Sequence, residues 1–131
     1  MKTLEHLRAY CLQKPGAYED FPFDNVTLTF RVKGKMFALC NVNEHPPEVN
    51  LKCDPELSEL LREKYDAVNP GWHMNKRHWN TLTLDGTIPD NEVLELIDLS
   101  YELVVKTLSK SERQKLTRFT KRFSKTALTP N

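Results

Sequence analysis

The stretch "VTLTFRVKGKMFALCNV", residues 26–42, decides the fold. Leu28, Phe30 and Val32 alternate with Thr27, Thr29 and Arg31, a period of two that marks a strand with one buried face. Lys33-Gly34 supplies a tight turn, and Lys35 to Val42 returns as the second strand of a hairpin. That returning strand is apolar on both faces in its middle, so its orientation stays open. After the Pro46-Pro47 break, Val49 and Leu51 alternate with Asn50 and Lys52 in a short third strand.

Helices flank these strands. Upstream, Leu4, Leu7 and Cys11 share one stripe between a capping Thr3 and the Pro15-Gly16 stop, which predicts a helix over Thr3 to Lys14. The following "AYEDFPFDN" reads as a loop, with Phe21 and Phe23 pinning it to the core and Glu19, Asp20 and Asp24 facing water. Downstream, Asp54-Pro55 starts a helix running to Lys64, with Leu57, Leu60 and Leu61 inward. A strand covers Trp79 to Leu84. Val93, Leu96, Ile97, Ser100, Tyr101, Val104 and Leu108 form the apolar stripe of a long core helix from about Asp90 to Thr107. Ser109 and Glu112 have the spacing of a capping box and open a last helix, edged by Leu116, Phe119 and Phe123. The terminal "SKTALTPN" reads as frayed. Hairpins and short connections call for an antiparallel sheet, with helices covering at least one of its faces.

The chain of 131 residues suits a single domain with one core. Its N-terminus mixes charge into the apolar residues, so neither a secretion signal nor a membrane span is expected there, and the expected location is the cytoplasm. Cys11, Cys40 and Cys53 form no CxxC pair and read as reduced, packed thiols. The net charge of +1 hides an asymmetry. Residues 1–105 hold 11 Lys/Arg and 17 Asp/Glu, a net of −6, whereas residues 106–131 hold 8 Lys/Arg and only Glu112, a net of +7. The basic end suits either a solvated helix face or an acidic, phosphate-bearing partner.

Residues 71–104, "GWHMNKRHWNTLTLDGTIPDNEVLELIDLSYELV", resemble the signature of the MmcQ/YjbR family of small bacterial proteins. The matching motifs are "HMNKRHW" at 73–79, "LDG" at 84–86, Pro89-Asp90 and "SYELV" at 100–104, and "KPGAYEDFPF" at 14–23 resembles the family's upstream segment. The resemblance implies an α+β fold, a two-layer α/β sandwich like frataxin-type and secretion-chaperone arrangements. The elements read along the chain fall in the order α-β-β-β-α-(β)-β-α-α, an antiparallel sheet of about five strands. Residues 1–108 would form the family domain, and residues 109–131 a basic helix and tail belonging to it. The family is described as DNA-binding through likeness to a double-wing module, and the resemblance carries over no catalytic residues.

Side-chain alternation gives that description a geometry. If Leu82 and Leu84 face the core, Trp79, Thr81 and Thr83 face the other way, together with Thr27, Thr29, Arg31, Asn50 and Lys52. An aromatic among cations can stack on bases while the cations neutralise phosphates. The candidate nucleic-acid-binding set is therefore Arg31, Lys52, Lys76, Arg77, Trp79, Thr81 and Thr83, with Arg118, Lys121, Arg122 and Lys125 extending it. The competing reading of Trp79, and still more of Trp72 beside Pro70-Gly71, is a structural corner. The near-neutral overall charge also counts against nucleic acid, whose binding domains are usually strongly basic.

The rival partner is a protein, in an adaptor or chaperone-like role, with Trp79 and Phe37 or Leu39 as anchors. A third reading is a small ligand near His73, His78 and Trp79. His73 and His78, five apart with His45 available, fit no usual zinc spacing. No spacing demands a triad or acid/base pair, and Ser100 reads as a small residue for close packing. No enzyme activity, cofactor or metal is expected.

Overall fold

The structure, a computed structural model, describes residues 3–71 and 74–116. Six antiparallel strands form one sheet in the spatial order β1-β2-β3-β4-β6-β5. In chain order the elements are α1 (Leu4–Leu12), β1 (Ala17–Asp20), β2 (Thr27–Val32), β3 (Lys35–Asn41), β4 (Glu48–Lys52), α2 (Pro55–Lys64), β5 (Val68–Pro70), β6 (Trp79–Thr83) and α3 (Asp90–Val105). A last helix, α4, starts at residue 110 and is described to residue 116.

Local chemistry sets the boundaries. The Thr3 hydroxyl accepts from the His6 amide at 3.2 Å and caps α1. Asp54 caps α2 through the Glu56 amide, with Pro55 in the first turn. The Ser109 hydroxyl accepts from the Glu112 amide while the Glu112 carboxylate accepts from the Ser109 amide, the reciprocal box that starts α4. Lys33 and Gly34 both take positive φ, 50° and 82°, the geometry that lets a two-residue turn follow the twist of its strands.

The helices among the described residues lie on one face of the sheet. Along it, Leu28, Cys40, Val49, Leu82 and Val68 stand in one cross-strand row, and Phe30, Ala38, Leu51 and Asn80 in the next. α3 covers the middle, burying Val93, Ile97, Ser100, Tyr101 and Val104. α1 packs over β1 and is tied to α3 by the Tyr10 hydroxyl, which donates to Asp98 at 2.7 Å, and by the Lys14–Asp98 ion pair. α2 packs over β5 and is joined to β6 by the Asn80 amide, which donates to Ser58 Oγ at 3.1 Å.

A bulge in β3 orients the strand whose apolar middle left its facing undecided. The register slips between Phe30 and Arg31, so that Phe37 and Ala38 both turn to the helices while Met36 and Leu39 face away. Phe37 meets the Tyr101 ring edge-on at 5.3 Å and is fully buried, which removes it as a surface anchor.

Several expectations need correction. Ala17–Asp20, read as loop, is the edge strand β1, paired to β2 from Ala17–Val32 to Asp20–Thr29, and the sheet has six strands. Its Glu19 does not face water but accepts from the Arg8 guanidinium of α1. Phe21 and Phe23 do not reach the core; they are 48% and 65% exposed. Leu60 points out at 63% exposure, because α2 turns Ser58 and Leu61 inward to meet Asn80 and the core. α1 ends at Leu12 and α3 at Val105, each short of the expected end. The sequence readings at Trp72, His73 and residues 117–131, including Phe119, Phe123 and the frayed end, lie outside the described residues.

Candidate functional site

The face of the sheet away from the helices carries three cross-strand rows. Asp20, Thr29, Leu39, Asn50, Thr81 and Asn69 form the central row, each beside the next through the strand register. On one side of it lie Arg31, Met36, Lys52 and Trp79; on the other lie Thr27, Asn41, Glu48 and Thr83. The alternation argument at Trp79 therefore holds: Lys52 stands directly opposite the indole, and Leu82 and Leu84 are buried on the helix side.

Most polar groups of this face bond to one another. The Thr81 hydroxyl donates to Asn50 Oδ1 at 2.6 Å, the Thr83 hydroxyl to Glu48 at 3.2 Å, and the Thr29 hydroxyl to the Asp20 carboxylate. Thr81 is only 8% exposed as a result. Arg31, assigned to phosphate contact, is engaged internally: Nε donates to Asp20 at 3.2 Å and Nη1 to the Gly34 carbonyl at 2.8 Å.

Over β2, β3, β4 and β6 the face sinks into a depression of about 490 Å³. Leu39, Asn50 and Thr81 floor it; Met36, Met74 and Phe23 supply apolar walls; Glu44 and Glu48 stand at one end. Outside the depression, Lys52 is paired with half-buried Trp79 across β4 and β6, and Lys76 and Arg77 are exposed on the turn entering β6. Among the described residues, Lys52, Lys76 and Arg77 form no ion pair.

Arg62 of α2 holds that turn. Its Nε donates to Asn80 Oδ1 at 2.8 Å, and its Nη2 donates to the carbonyls of Lys76 and Trp79. Gly71 packs on the other side, its amide donating to the Trp79 carbonyl at 2.8 Å; a Cβ there would sit 2.8 Å from that of Trp79. Trp79 is thus part of a braced corner and also half open to solvent, so both readings of it describe the same residue.

Of the predicted set, Lys52, Lys76, Arg77 and Trp79 come together, whereas Thr81 and Thr83 belong to the depression and its acidic end. Arg118, Lys121, Arg122 and Lys125 fall outside the described residues. His78 is half-buried near Trp79, but His73, its proposed companion, is not described. Among the described residues no three His, Cys, Asp or Glu side chains converge as a metal site, and no helix is long and apolar enough to cross a membrane. Sequence reasoning missed Met36, Met74, Phe23, Glu44 and Glu48. The available signal was register: once Leu39 is outward, Asn50 and Thr81 must flank it.

The three cysteines are free and buried. Burial pushes the Cys11 thiol up to about 12 and that of Cys40 to about 11, and it raises Cys53 as well, so all three stay protonated and poorly nucleophilic near neutrality.

The chain is built as a small α+β sandwich whose helices, among the described residues, gather on one side of an antiparallel sheet. It belongs to the YjbR family, whose model matches residues 12–103. The chain is 40% identical to YjbR of Escherichia coli K12 over 114 residues, covering 87% of this chain and 97% of that one. It is 30% identical to YyaQ of Bacillus subtilis 168 over 118 residues, 79% of this chain and 98% of that one. The crystal structure of Deinococcus radiodurans protein DR2400 superposes with a TM-score of 0.85 at 43% identity, covering 89% of each chain. A Pseudomonas syringae protein superposes with a TM-score of 0.67 at 29% identity, covering 77% of this chain and 97% of that one.

Proposed function

We propose that the chain is a non-enzymatic binding module that takes a segment of a partner protein against the open face of its sheet. The observation that carries this reading is the division of labour in the depression. Its hydroxyl and amide groups are engaged with one another, while Leu39, Met36, Met74 and Phe23 present apolar surface. Apolar surface supplies binding energy when a partner covers it, and methionines adapt their shape to the side chain that arrives. Glu44 and Glu48 at one end favour a segment bearing Lys or Arg beside its apolar residues. Buried, protonated thiols suit a reducing compartment, and the module is read as cytoplasmic.

The test is a methyl NMR titration with a short peptide alternating lysine with leucine and phenylalanine, run beside its glutamate-substituted counterpart. Shifts of Met36, Leu39 and Met74 with the basic peptide, lost in Leu39→Glu, are expected. Absence of shifts at these methyls, or binding that survives Leu39→Glu, overturns the reading.

One observation favours DNA as a second reading: Lys52 flanks the Trp79 indole, and Lys76 and Arg77 stand on the adjoining turn. That end offers an aromatic and three cations to a nucleic acid backbone and bases. Against it, Glu44 and Glu48 sit across the same face and Arg31 is neutralised by Asp20. Short duplex DNA at two salt concentrations separates the readings. Salt-sensitive shifts confined to Trp79 and Arg77 support DNA, and their absence at low salt removes it.

A further inference from the structure

We propose that the sheet face away from the helices is an interface between two copies of this chain, related by a two-fold axis that runs across the strands along the central row. The observation behind it is the distribution of charge about that row. On β4, Val49 and Leu51 are buried toward the helices, so Glu48, Asn50 and Lys52 all point the other way. Asn50 lies in the central row, with the acid on one side of it and the base on the other. At about 3.3 Å per residue the two charges stand roughly 13 Å apart, each about 6–7 Å from the row. The flanking rows divide in the same sense. Arg31, Met36, Lys52 and Trp79 make a cationic flank, and Thr27, Asn41, Glu48 and Thr83 an anionic one.

Symmetry turns that division into complementarity. A two-fold interface lays a patch on its own image, and two faces oppose each other only about an axis lying between them. An axis along the strands sets the anionic flank on its own copy, acid against acid. An axis along the central row exchanges the flanks, so Lys52 meets Glu48 of the second copy and Glu48 meets its Lys52. Packed sheets lie about 10 Å apart with strands crossing at about 30°, which displaces residues 6–7 Å from the axis by only about 3 Å. Lysine and glutamate side chains together span such a gap. Neither charge is neutralised within the chain: among the described residues neither forms an ion pair, and the Glu48 carboxylate accepts from the uncharged Thr83 hydroxyl.

The rest of the face is compatible with this axis. Leu39 and Asn50, neighbours in the central row, each face their own image, giving an apolar contact and an amide pair. Asp20, the charge in that row, is already paired with Arg31. Exposed Lys76 and Arg77 stand on the turn entering β6, at the cationic flank, and exposed Glu44 on the connection entering β4, at the anionic one. The same rotation brings that basic turn to the Glu44 side of the second copy. Six strands about 4.8 Å apart and some five residues long make a face of roughly 500 Å². That is below the roughly 800 Å² per partner of a standard stable interface, so the dimer is reversible and releases the face. The inference follows from charge and symmetry and does not rest on the partner-segment reading, which the peptide titration tests separately.

The experiment is sedimentation equilibrium of the full chain at low salt, from about 10 μM to 1 mM. It compares the unsubstituted chain with Glu48→Lys, with Lys52→Glu, with Glu48→Lys/Lys52→Glu, and with an equimolar mixture of the two single variants. A reversible monomer–dimer equilibrium is expected for the unsubstituted chain. Each single variant opposes like charges at both symmetric contacts and should weaken association about tenfold or more. The double exchange restores both contacts. The mixture should form heterodimers that neither variant alone matches, because one copy then carries lysine at both positions and the other glutamate. A chain that stays monomeric throughout overturns the inference and leaves the face to other partners. Association that neither single substitution weakens, or that neither the exchange nor the mixture restores, also overturns it and assigns the contact to a different surface.

Discussion

The Ser100 hydroxyl donates to the Phe37 carbonyl at 2.5 Å, and at 2.8 Å it accepts from the amide of Lys52. Phe37 and Lys52 would be the next pair in the β3–β4 ladder after Ala38–Leu51, and the bulge parts them. A helix side chain thus completes a sheet hydrogen-bond pair, so the serine expected to serve close packing has a polar task in a fully buried position. Ser100→Ala leaves both backbone groups without that partner and should cost about 1–3 kcal/mol in urea unfolding. A loss below roughly 0.5 kcal/mol, within the range of ordinary surface substitutions, contradicts the bridging role.

Gly16 takes φ +73° and lies against Leu116. Gly16→Ala combines a left-handed conformation that L residues resist, at about 1–2 kcal/mol, with displacement of the leucine that seats α4. Thermal unfolding should show the loss, and amide exchange across residues 110–116 should accelerate more than in β3. Unchanged exchange in α4 would show that Leu116 does not anchor it.

Burial raises the thiols of Cys11 and Cys40 to about 12 and 11 from an ordinary value near 9. A group that is an acid when neutral and has a raised folded pKa stabilises the fold fully below its unfolded pKa. That contribution fades as pH rises from about 9 toward 11–12. Stability to urea should therefore fall between pH 9 and 11, and less so in Cys11→Ala/Cys40→Ala compared with its own neutral-pH value. At pH 8 a thiol reagent should label these cysteines only on unfolding; rapid labelling of the folded chain counts against the assignment.

Arg62 links α2 to Asn80 and to the turn before Trp79 through a fork of donors. Lysine keeps the charge but not the fork, so Arg62→Lys should cost about 1–2 kcal/mol and shift the Trp79 indole resonance. An indole signal indistinguishable from that of the unsubstituted chain would mean that Arg62 does not set the corner.

Legibility in the sequence followed the strength of local pattern. Residues 26–42 declared their hairpin because alternation and a Lys-Gly turn agree, and the caps at Thr3, Asp54 and Ser109 each appear in the structure. "AYED" concealed β1, since four residues with two acids show no period and the pairing comes entirely from β2. In α2 three leucines suggested an inward stripe, but hydrogen bonding to Asn80 turns Ser58 inward in place of Leu60. The outward facing of Trp79 could be deduced from Leu82 and Leu84. The depression could not, because it joins four strands through their register and adds Phe23, Glu44 and Met74 from connections with no periodic signal.

The two margins of the sheet are guarded in different ways. β5 is three residues long and finishes on Pro70, which has no amide hydrogen to offer a newcomer. β1 is four residues long and turns the Glu19 carboxylate inward against Arg8, a charge that a flat, uninterrupted stack of sheets would have to bury. Neither margin provides the long apolar template on which copies polymerise into fibrils, so concentrated solutions should resist that form of aggregation.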